Sequence, residues 1–315
     1  MVSIGRMHAR ELDAAGIVDG HLRESYERCR RLNAEHGKTY YLATLLLPPE
    51  KRPYVHALYG FARYADEIVD DLQSTLTDEQ KAQWLGEWGQ TFLDDIDRGW
   101  SDDPVCRAVV DTVLRWSIPK EHFTAFLHSM TMDLTVTEYR TYEDLYEYVY
   151  GSAAVIGLQM VPILEPTSDE AYARATDLGV AFQLANFIRD VGEDLDRGRV
   201  YLPLEELALF GVTRADLEAR VATPEIKLAL ADQVARVRRL EERSRPGIDM
   251  LDPSSRDCIN AARILYCGIV DEVERNGYDV FSTRASVPMR RRLAVAGPAW
   301  VHAVQARRRA KVAQT

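Results

Sequence analysis

The sequence has only four cysteines in 315 residues, Cys29, Cys106, Cys258 and Cys267. None stands in a CxxC spacing, which disfavours a zinc site or a disulfide framework and points to a reducing, cytoplasmic setting. Long apolar runs are missing too. Met1 to Gly20 has no apolar segment of signal-peptide type, and the longest apolar stretch near the C-terminus, Leu293 to Val304, is too short and interrupted to span a bilayer. Any membrane contact is then expected to be peripheral, on the inner face. No GxGxxG fingerprint occurs, which leans mildly against a nicotinamide site. Excess positive charge is also lacking: 39 Lys and Arg stand against 49 Asp and Glu, a formal net charge of −10, whereas nucleic-acid binding needs the opposite balance. Neither strand alternation nor a repeat of about 20–50 residues is visible.

What is present is ordinary globular material with helical periods. The chain is 46% hydrophobic and 28% charged, which supplies a core, and its length fits one large domain or two modest ones. Leu22 to His36 and Glu50 to Asp71 are helical, separated by Gly37-Lys38-Thr39 and Pro48-Pro49. Start signals then recur: Thr77-x-x-Gln80 before a helix to Arg98, Asp103-Pro104 before one ending near Trp116, and Pro119 before the next. Thr141-x-x-Asp144 opens an apolar helix running to Leu164, Ser168-Asp-Glu opens another, and Thr223-Pro224 caps a charged helix to about Arg245. Ser254 to Asn276 is expected to be the last long helix, with Gly277 as a left-handed cap. The expectation is all-α, roughly ten helices, in a single domain over residues 1–315.

Two helical stretches carry acids where their neighbours predict burial. In Gln183-Leu-Ala-Asn186-Phe-Ile-Arg189-Asp190-Val-Gly-Glu193-Asp194, the residues Asn186, Asp190 and Asp194 line up, because four-residue steps along a helix return to nearly the same face. Asp66 and Asp70 are related in the same way. An isolated acidic i, i+4 pair is usually a solvated helix face. Here both stripes adjoin apolar sequence, Ala57-Leu-Tyr-Gly-Phe-Ala62 in one and Phe182, Leu184, Phe187 and Ile188 in the other, and each has an arginine beside it, Arg63 or Arg189. Turned towards each other across a bundle, such stripes would form a divalent-cation site for a polyanion: Mg2+ takes one or two carboxylates plus substrate phosphates, and Arg and Lys hold the remaining oxygens. Plainer readings stand beside this one. Arg63 and Glu67 can form an intrahelical pair worth about 0.2–0.5 kcal/mol, and a buried Asn186 can bridge two helices. The first leaves the duplication unexplained, and the phase of Asn186 with Asp190 and Asp194 favours a ligand role.

Three ordered blocks carry a resemblance. His36-Gly-Lys-Thr-Tyr-Tyr with Leu46-Leu-Pro-Pro and Ala57-Leu-Tyr-Gly-Phe-Ala-Arg-Tyr-Ala-Asp-Glu-Ile-Val-Asp-Asp71 make the first. Gln183 to Asp194 with Arg197-Gly-Arg-Val-Tyr-Leu-Pro203 is the second, and Tyr278-Asp-Val-Phe281 followed by Arg284 the third. From about His36 to Leu293 the chain resembles the head-to-head isoprenoid synthases, the phytoene and squalene synthase family, and is most similar to its bacterial phytoene synthases.

The resemblance implies the all-α isoprenoid synthase bundle with a central apolar channel. It implies a prenyltransferase that joins two geranylgeranyl diphosphates into phytoene through a cyclopropylcarbinyl diphosphate, the first step of carotenoid biosynthesis, with Mg2+ or Mn2+ and without NADPH. Carried over residue by residue, Asp66, Asp70, Asn186, Asp190 and Asp194 would be metal ligands. His36, Lys38, Thr39, Tyr148, Tyr266 and Arg284 would bind substrate, and Tyr59, Arg63, Arg189 and Gln183 would be catalytic. The chemistry needs these types: losing diphosphate builds negative charge that metal and Arg stabilise, and the allylic cation left behind needs a dry site with aromatic or amide dipoles.

Two departures from the family pattern stand out. Gly37 occupies a position where the family often has Ser, and Ala154 occupies one where many members have Gly. Alternatives within the class are squalene or dehydrosqualene synthesis from farnesyl diphosphate, and outside it a non-catalytic assembly factor on the same fold, which intact acidic stripes argue against. Chain-elongating synthases and terpene cyclases usually show DDxxD, whereas this chain has Asp-x-x-x-Asp twice. The stretch 290–315 is basic, with Leu293, Val295, Trp300, Val301 and Val304 among its cations; a membrane-surface helix and a solvated flexible tail are both open readings. Oligomeric state stays open.

Overall fold

The computed structural model describes residues 4–70 and 76–313; the side chains of residues 4–7, Asp70, Ala296 and residues 303–313 lie outside the described set, as does Asp71. In chain order the helices are α1 (Ile4–Ala14), α2 (Gly20–His36), α3 (Lys38–Thr44), α4 (Arg52–Asp70), α5 (Asp78–Arg98), α6 (Pro104–Trp116), α7 (Lys120–Met132) and α8 (Tyr142–Val149). A π-helical turn, Tyr150–Ala154, joins α8 to α9 (Val155–Ile163). There follow α10 (Glu170–Asp196), α11 (Leu204–Ala208), α12 (Arg214–Glu218), α13 (Pro224–Ser244), α14 (Pro246–Asp249), α15 (Pro253–Arg275) and α16 (Met289–Ala313). Among the described residues extended pairing is limited to two isolated bridges, Glu138 with Val200 and Pro166 with Leu251.

The start signals act as their chemistry requires. The Thr77 hydroxyl accepts from the Gln80 amide at 3.3 Å while the Gln80 side chain accepts from the Thr77 amide at 2.9 Å. Thr141 and Asp144 do the same for α8. Asp103 accepts from Val105 and Cys106 at 2.7 and 2.9 Å ahead of α6; caps of this kind contribute about 1 kcal/mol each. Gly277 follows α15 with φ +64, the left-handed geometry expected of it.

Three expectations need correction. The short helices α3, α11, α12 and α14 raise the number of segments well above ten, because four to seven residues are too few to show an amphipathic period. The last long helix is α16, not α15. The helix expected from Thr141 to Leu164 is helical throughout Tyr142–Ile163 but carries a π-helical turn, where the Val155 amide reaches back to the Tyr150 carbonyl; just before it the Ser129 hydroxyl on α7 donates to the Tyr148 carbonyl at 2.9 Å. Ala154 is fully buried in this turn. Its bulk is met across the interface by Gly179 of α10, where a Cβ would lie 2.6 Å from the Ala153 carbonyl oxygen and 3.3 Å from the Ala154 Cα.

Two apolar clusters form around these helices. One, on α2, α4 to α7 and α9, is centred on Tyr26, Phe61, Phe92 and Phe123; the other, on α10, α13 and α15, on Ile188, Leu230, Val237 and Val270. Phe182 and Val295 pack against both. A fully buried side chain of this size stabilises by about 1.5–3 kcal/mol, so the walls around α10 are held firmly.

Candidate active site

Between the clusters lies a cavity of about 310 Å³ with a nearly apolar wall. Tyr59 and Ala62 line it from α4, Gly157 and Met160 from α9, Phe182 and Gln183 from α10, and Ile259 and Ala262 from α15. On α4 the lining starts at Val55 and ends at Ala62, with Arg63, Asp66 and Asp70 beyond; on α10 it starts at Ala171 and ends at Gln183, with Asn186, Asp190 and Asp194 beyond. Both helices thus leave the cavity through their acidic turns. Their exit is bridged by rings: Tyr40 stacks on Tyr266 at 4.4 Å and lies 6.1 Å from Tyr59, and Tyr266 packs on Phe182 at 4.9 Å. The charge of Arg189 reaches Tyr40 and Tyr266, and that of Arg63 reaches Tyr59. Burial dominates at all three phenols and raises them, Tyr59 to about 12.

On α4, Arg63 donates to Asp66 at 2.7 Å and to Glu67 at 3.1 Å, and His36 Nε2 lies 3.4 Å from Glu67. The plain intrahelical pair is therefore real, and Asp66 joins it. Asp70 is the last described residue of α4, and its side chain lies outside the described residues. Lys38 and Thr39 form the first turn of α3, Lys38 exposed and Thr39 half-buried. Between His36 and Lys38, a Cβ on Gly37 would meet the Tyr59 ring at 2.6 Å and Asn33 Oδ1 at 2.7 Å. With Tyr59 in this position no serine fits there.

The α10 stripe is held by cations from two places. Arg189 donates to both Asp190 oxygens, through Nε at 2.7 Å and through Nη2. Arg284, on the 276–288 strap between α15 and α16, donates to the same two oxygens at 2.8 and 3.1 Å and lies 3.1 Å from Glu193. Burial would raise the Asp190 carboxyl, but these guanidinium hydrogen bonds overcome it and hold it below its ordinary value. At Asp194 burial prevails, helped by the charges of Asp190 and Glu193 against those of Arg197 and Arg199, and pushes the carboxyl up to about 7. Asn186 Oδ1 is buried and has no hydrogen-bond partner among the described residues.

These donors fit a divalent cation as part of a shell. Oxygen ligands from an amide and carboxylates are what Mg2+ prefers, and a buried amide oxygen without a donor is stabilised by a cation. Among the described residues no group of three or more His, Cys, Asp or Glu could hold a metal alone. A cation here would draw the rest of its shell from phosphate oxygens and water.

Tyr148 is placed differently from the other expected residues. It does not line the cavity; its hydroxyl donates to Asp133 at 2.6 Å, as that of Tyr201 does at 2.8 Å, and Arg199 donates to the Asp133 carbonyl at 2.7 Å. Tyr201 in turn stacks on Phe187 at 4.2 Å and senses the charge of Asp194. This hub behind the α10 stripe was not foreseen from the sequence. Arg199 and Tyr201 lie in the second signature block, but Asp133 has no local signal, being brought in from more than sixty positions away. Tyr40 was missed as well, although its neighbours Lys38 and Thr39 were not.

A larger open groove of about 670 Å³ lies between α1, α2 and α6. Its wall is charged, with Arg31 paired to Glu27 within it and Arg23 paired to Asp13 beside it, and it includes none of the expected site residues.

Comparison with known proteins identifies the family. The family model described as squalene/phytoene synthase matches residues 33–291. Phytoene synthase 2 of Solanum lycopersicum, a chloroplastic protein, is 36% identical over 280 residues, 87% of this chain and 89% of that one. The 15-cis-phytoene synthase of Synechococcus elongatus is 37% identical over 284 residues, covering 86% of this chain and 91% of that protein. Among solved structures, a dehydrosqualene synthase in complex with ligand has a TM-score of 0.80 at 26% identity, over 88% of this chain and 96% of the other. A squalene synthase from Alicyclobacillus acidocaldarius has 0.77 at 28%, over 84% and 99%. The chain belongs to the squalene/phytoene synthase family.

Proposed function

We propose that this protein is a phytoene synthase, which condenses two geranylgeranyl diphosphates head to head and so performs the first step of carotenoid synthesis. One observation supports the proposal: Arg63 and Arg189, the arginines of the two acidic stripes, act on one group of neutral aromatic rings at the end of an apolar cavity. Each part has a task. Arg63, Arg189 and Arg284 hold the diphosphates, with His36, Lys38 and Thr39 on the α3 side. Asp66, Asp70, Asn186, Asp190 and Asp194 would hold Mg2+, or Mn2+ in its place, and the cation when bound withdraws charge from the leaving diphosphate. Arg189 and Arg284 now cover both Asp190 oxygens, so they must turn towards phosphate for Asp190 to serve. Such guanidinium–phosphate contacts are bidentate and charge-assisted.

When diphosphate leaves, the allylic cation is faced by the rings of Tyr40, Tyr59 and Tyr266 and by the Gln183 amide, and the apolar wall excludes the water that would quench it. The 2,3 double bond of the second substrate attacks this carbon and a proton is lost, giving the cyclopropylcarbinyl diphosphate. A second ionisation and rearrangement join the chains, and a further proton loss gives phytoene without a reductant. Tyr148, through Asp133 and Tyr201, supports the Phe187 turn of α10 rather than touching the chain. One all-α domain over residues 1–315 carries this activity in the cytoplasm, and the product's apolarity favours work at a membrane surface.

A second reading, synthesis of squalene or dehydrosqualene from farnesyl diphosphate, is favoured by the cavity volume. About 310 Å³ is near the lower end of the roughly 300–1,000 Å³ of ligand pockets. Incubation with each prenyl diphosphate and Mg2+, with and without NADPH, followed by product mass, separates the two. A C40 hydrocarbon formed without NADPH supports phytoene synthesis; a C30 product alone replaces it, and no hydrocarbon from any substrate refutes both.

A further inference from the structure

Helix α16 has two unlike faces. Its inner face is docked on α15: Arg291 pairs with Asp271 at 2.7 Å and with Glu272 at 3.3 Å, Val295 and Ala299 pack on the core, and His302 lies 4.0 Å from Asp257. These positions recur at three- and four-residue steps, as one helix face must. The opposite face carries Met289, Leu293, Trp300 and Val301, exposed by 63, 65, 58 and 45%. Elsewhere the large exposed apolar side chains are spread over many helices and loops, and such scattering is normal; here four fall on one helix within thirteen positions.

Charge identifies what covers this face. All 49 acidic residues precede position 280, and the segment 280–315 holds eight Arg and Lys with no acid at all. Arg290 stands beside the apolar stripe, and the helix continues through Arg307, Arg308, Arg309 and Lys311. A second copy of the chain laid symmetrically on the stripe would bring two such basic segments together. An anionic lipid surface would instead attract the segment and repel the acidic body, fixing one orientation. Among the described residues no helix is long and apolar enough to cross a membrane, so the contact lies in the interface plane.

We infer that the outer face of α16 is a docking surface for anionic lipid bilayers, with Leu293 and Trp300 entering the headgroup boundary and the flanking arginines meeting the lipid phosphates. The inference stands on α16 alone and needs no substrate. If the proposed reaction is also correct, the docked helix overlies α15, whose Cys258, Ile259 and Ala262 line the cavity, so that a water-insoluble product is formed one helix away from lipid.

The test is co-sedimentation of the full chain with phosphatidylcholine vesicles and with vesicles also containing phosphatidylglycerol, at low and high salt. The expected result is binding at least about tenfold stronger to the anionic vesicles, weakened by salt, and lost in Leu293→Glu/Trp300→Glu. The paired variant should keep its helical circular dichroism; Leu293→Gln/Trp300→Gln, without new charge, should lose most of the binding too. Parent protein left in the supernatant would overturn the inference, as would variants that sediment like the parent. So would a parent dimer that ignores vesicles and that the substitutions dissociate, since a second copy would then be what covers the stripe.

Discussion

The acids of α4 and those of α10 follow one spacing rule and occupy unlike surroundings. The Asp66 side chain is 43% exposed and is held by an arginine three residues away on its own helix. That of Asp190 is 17% exposed and is held both by its neighbour and by Arg284, 94 positions along the chain. The first arrangement can rearrange in water at little cost. The second is largely buried at Asp190 and tied to the strap, so its two guanidinium groups are gathered at one point and need only turn from Asp190 to meet a polyanion. Preorganised charge in a low-dielectric setting is worth more to a reaction that builds charge than the same groups in solvent. The two stripes are therefore expected to contribute unequally.

The largest test of that inequality is Asp190→Ala against Asp66→Ala. Turnover should fall by about a thousandfold or more in the first and about tenfold less severely in the second, with helical circular dichroism kept in both. Equal losses would make the stripes equivalent. Next in size, Arg284→Ala should lower kcat by about a hundredfold and Arg63→Ala by about tenfold, measured as single-turnover rates; the reverse order would place the stronger phosphate contact on α4.

The pH dependence of stability sharpens the contrast further. An unfolded aspartate titrates near ~3.9, whereas Asp194 is pushed up to about 7 in the fold. Between those values the folded chain holds a proton that the unfolded chain does not, so this group's contribution falls as pH rises through the window and stays lost above it. Asp194→Asn should therefore raise the thermal midpoint by a few degrees at pH 8 in metal-free buffer, at about 2–4 °C per kcal/mol, and leave it unchanged near pH 4. A gain equal at both pH values would show that the benefit is not electrostatic. The smallest effect belongs to α4: Glu67→Gln should change stability by no more than about 0.5 kcal/mol in denaturant melts, because exposed helix pairs contribute little.

Legibility in the sequence followed locality. The capping signals at Thr77, Asp103, Thr141 and Thr223, the acid spacing, and the pairing of Arg63 with Glu67 each involve residues within four positions, and each is found where the sequence places it. What escaped depends on distant partners. The π-helical turn begins just after a carbonyl bound by Ser129, nineteen positions earlier in the chain. The Asp133 hub joins three segments that no single window contains. Arg284 was expected as a phosphate contact, yet its seat on Asp190 exists only because the strap folds back over α10. The close approach of Gly37 to the Tyr59 ring likewise joins positions that no local window relates.

The raised phenols bear on how long such a catalyst lasts. A phenolate oxygen within reach of an allylic cation would capture it as an aryl ether and end the enzyme's working life. Desolvation raises the Tyr40, Tyr59 and Tyr266 phenols, Tyr59 to about 12, so in the proposed reaction the cation would meet electron-rich ring faces without an anionic oxygen on them. In that reaction the desolvation that makes these tyrosines poorer acids would widen the margin against self-alkylation, cycle after cycle.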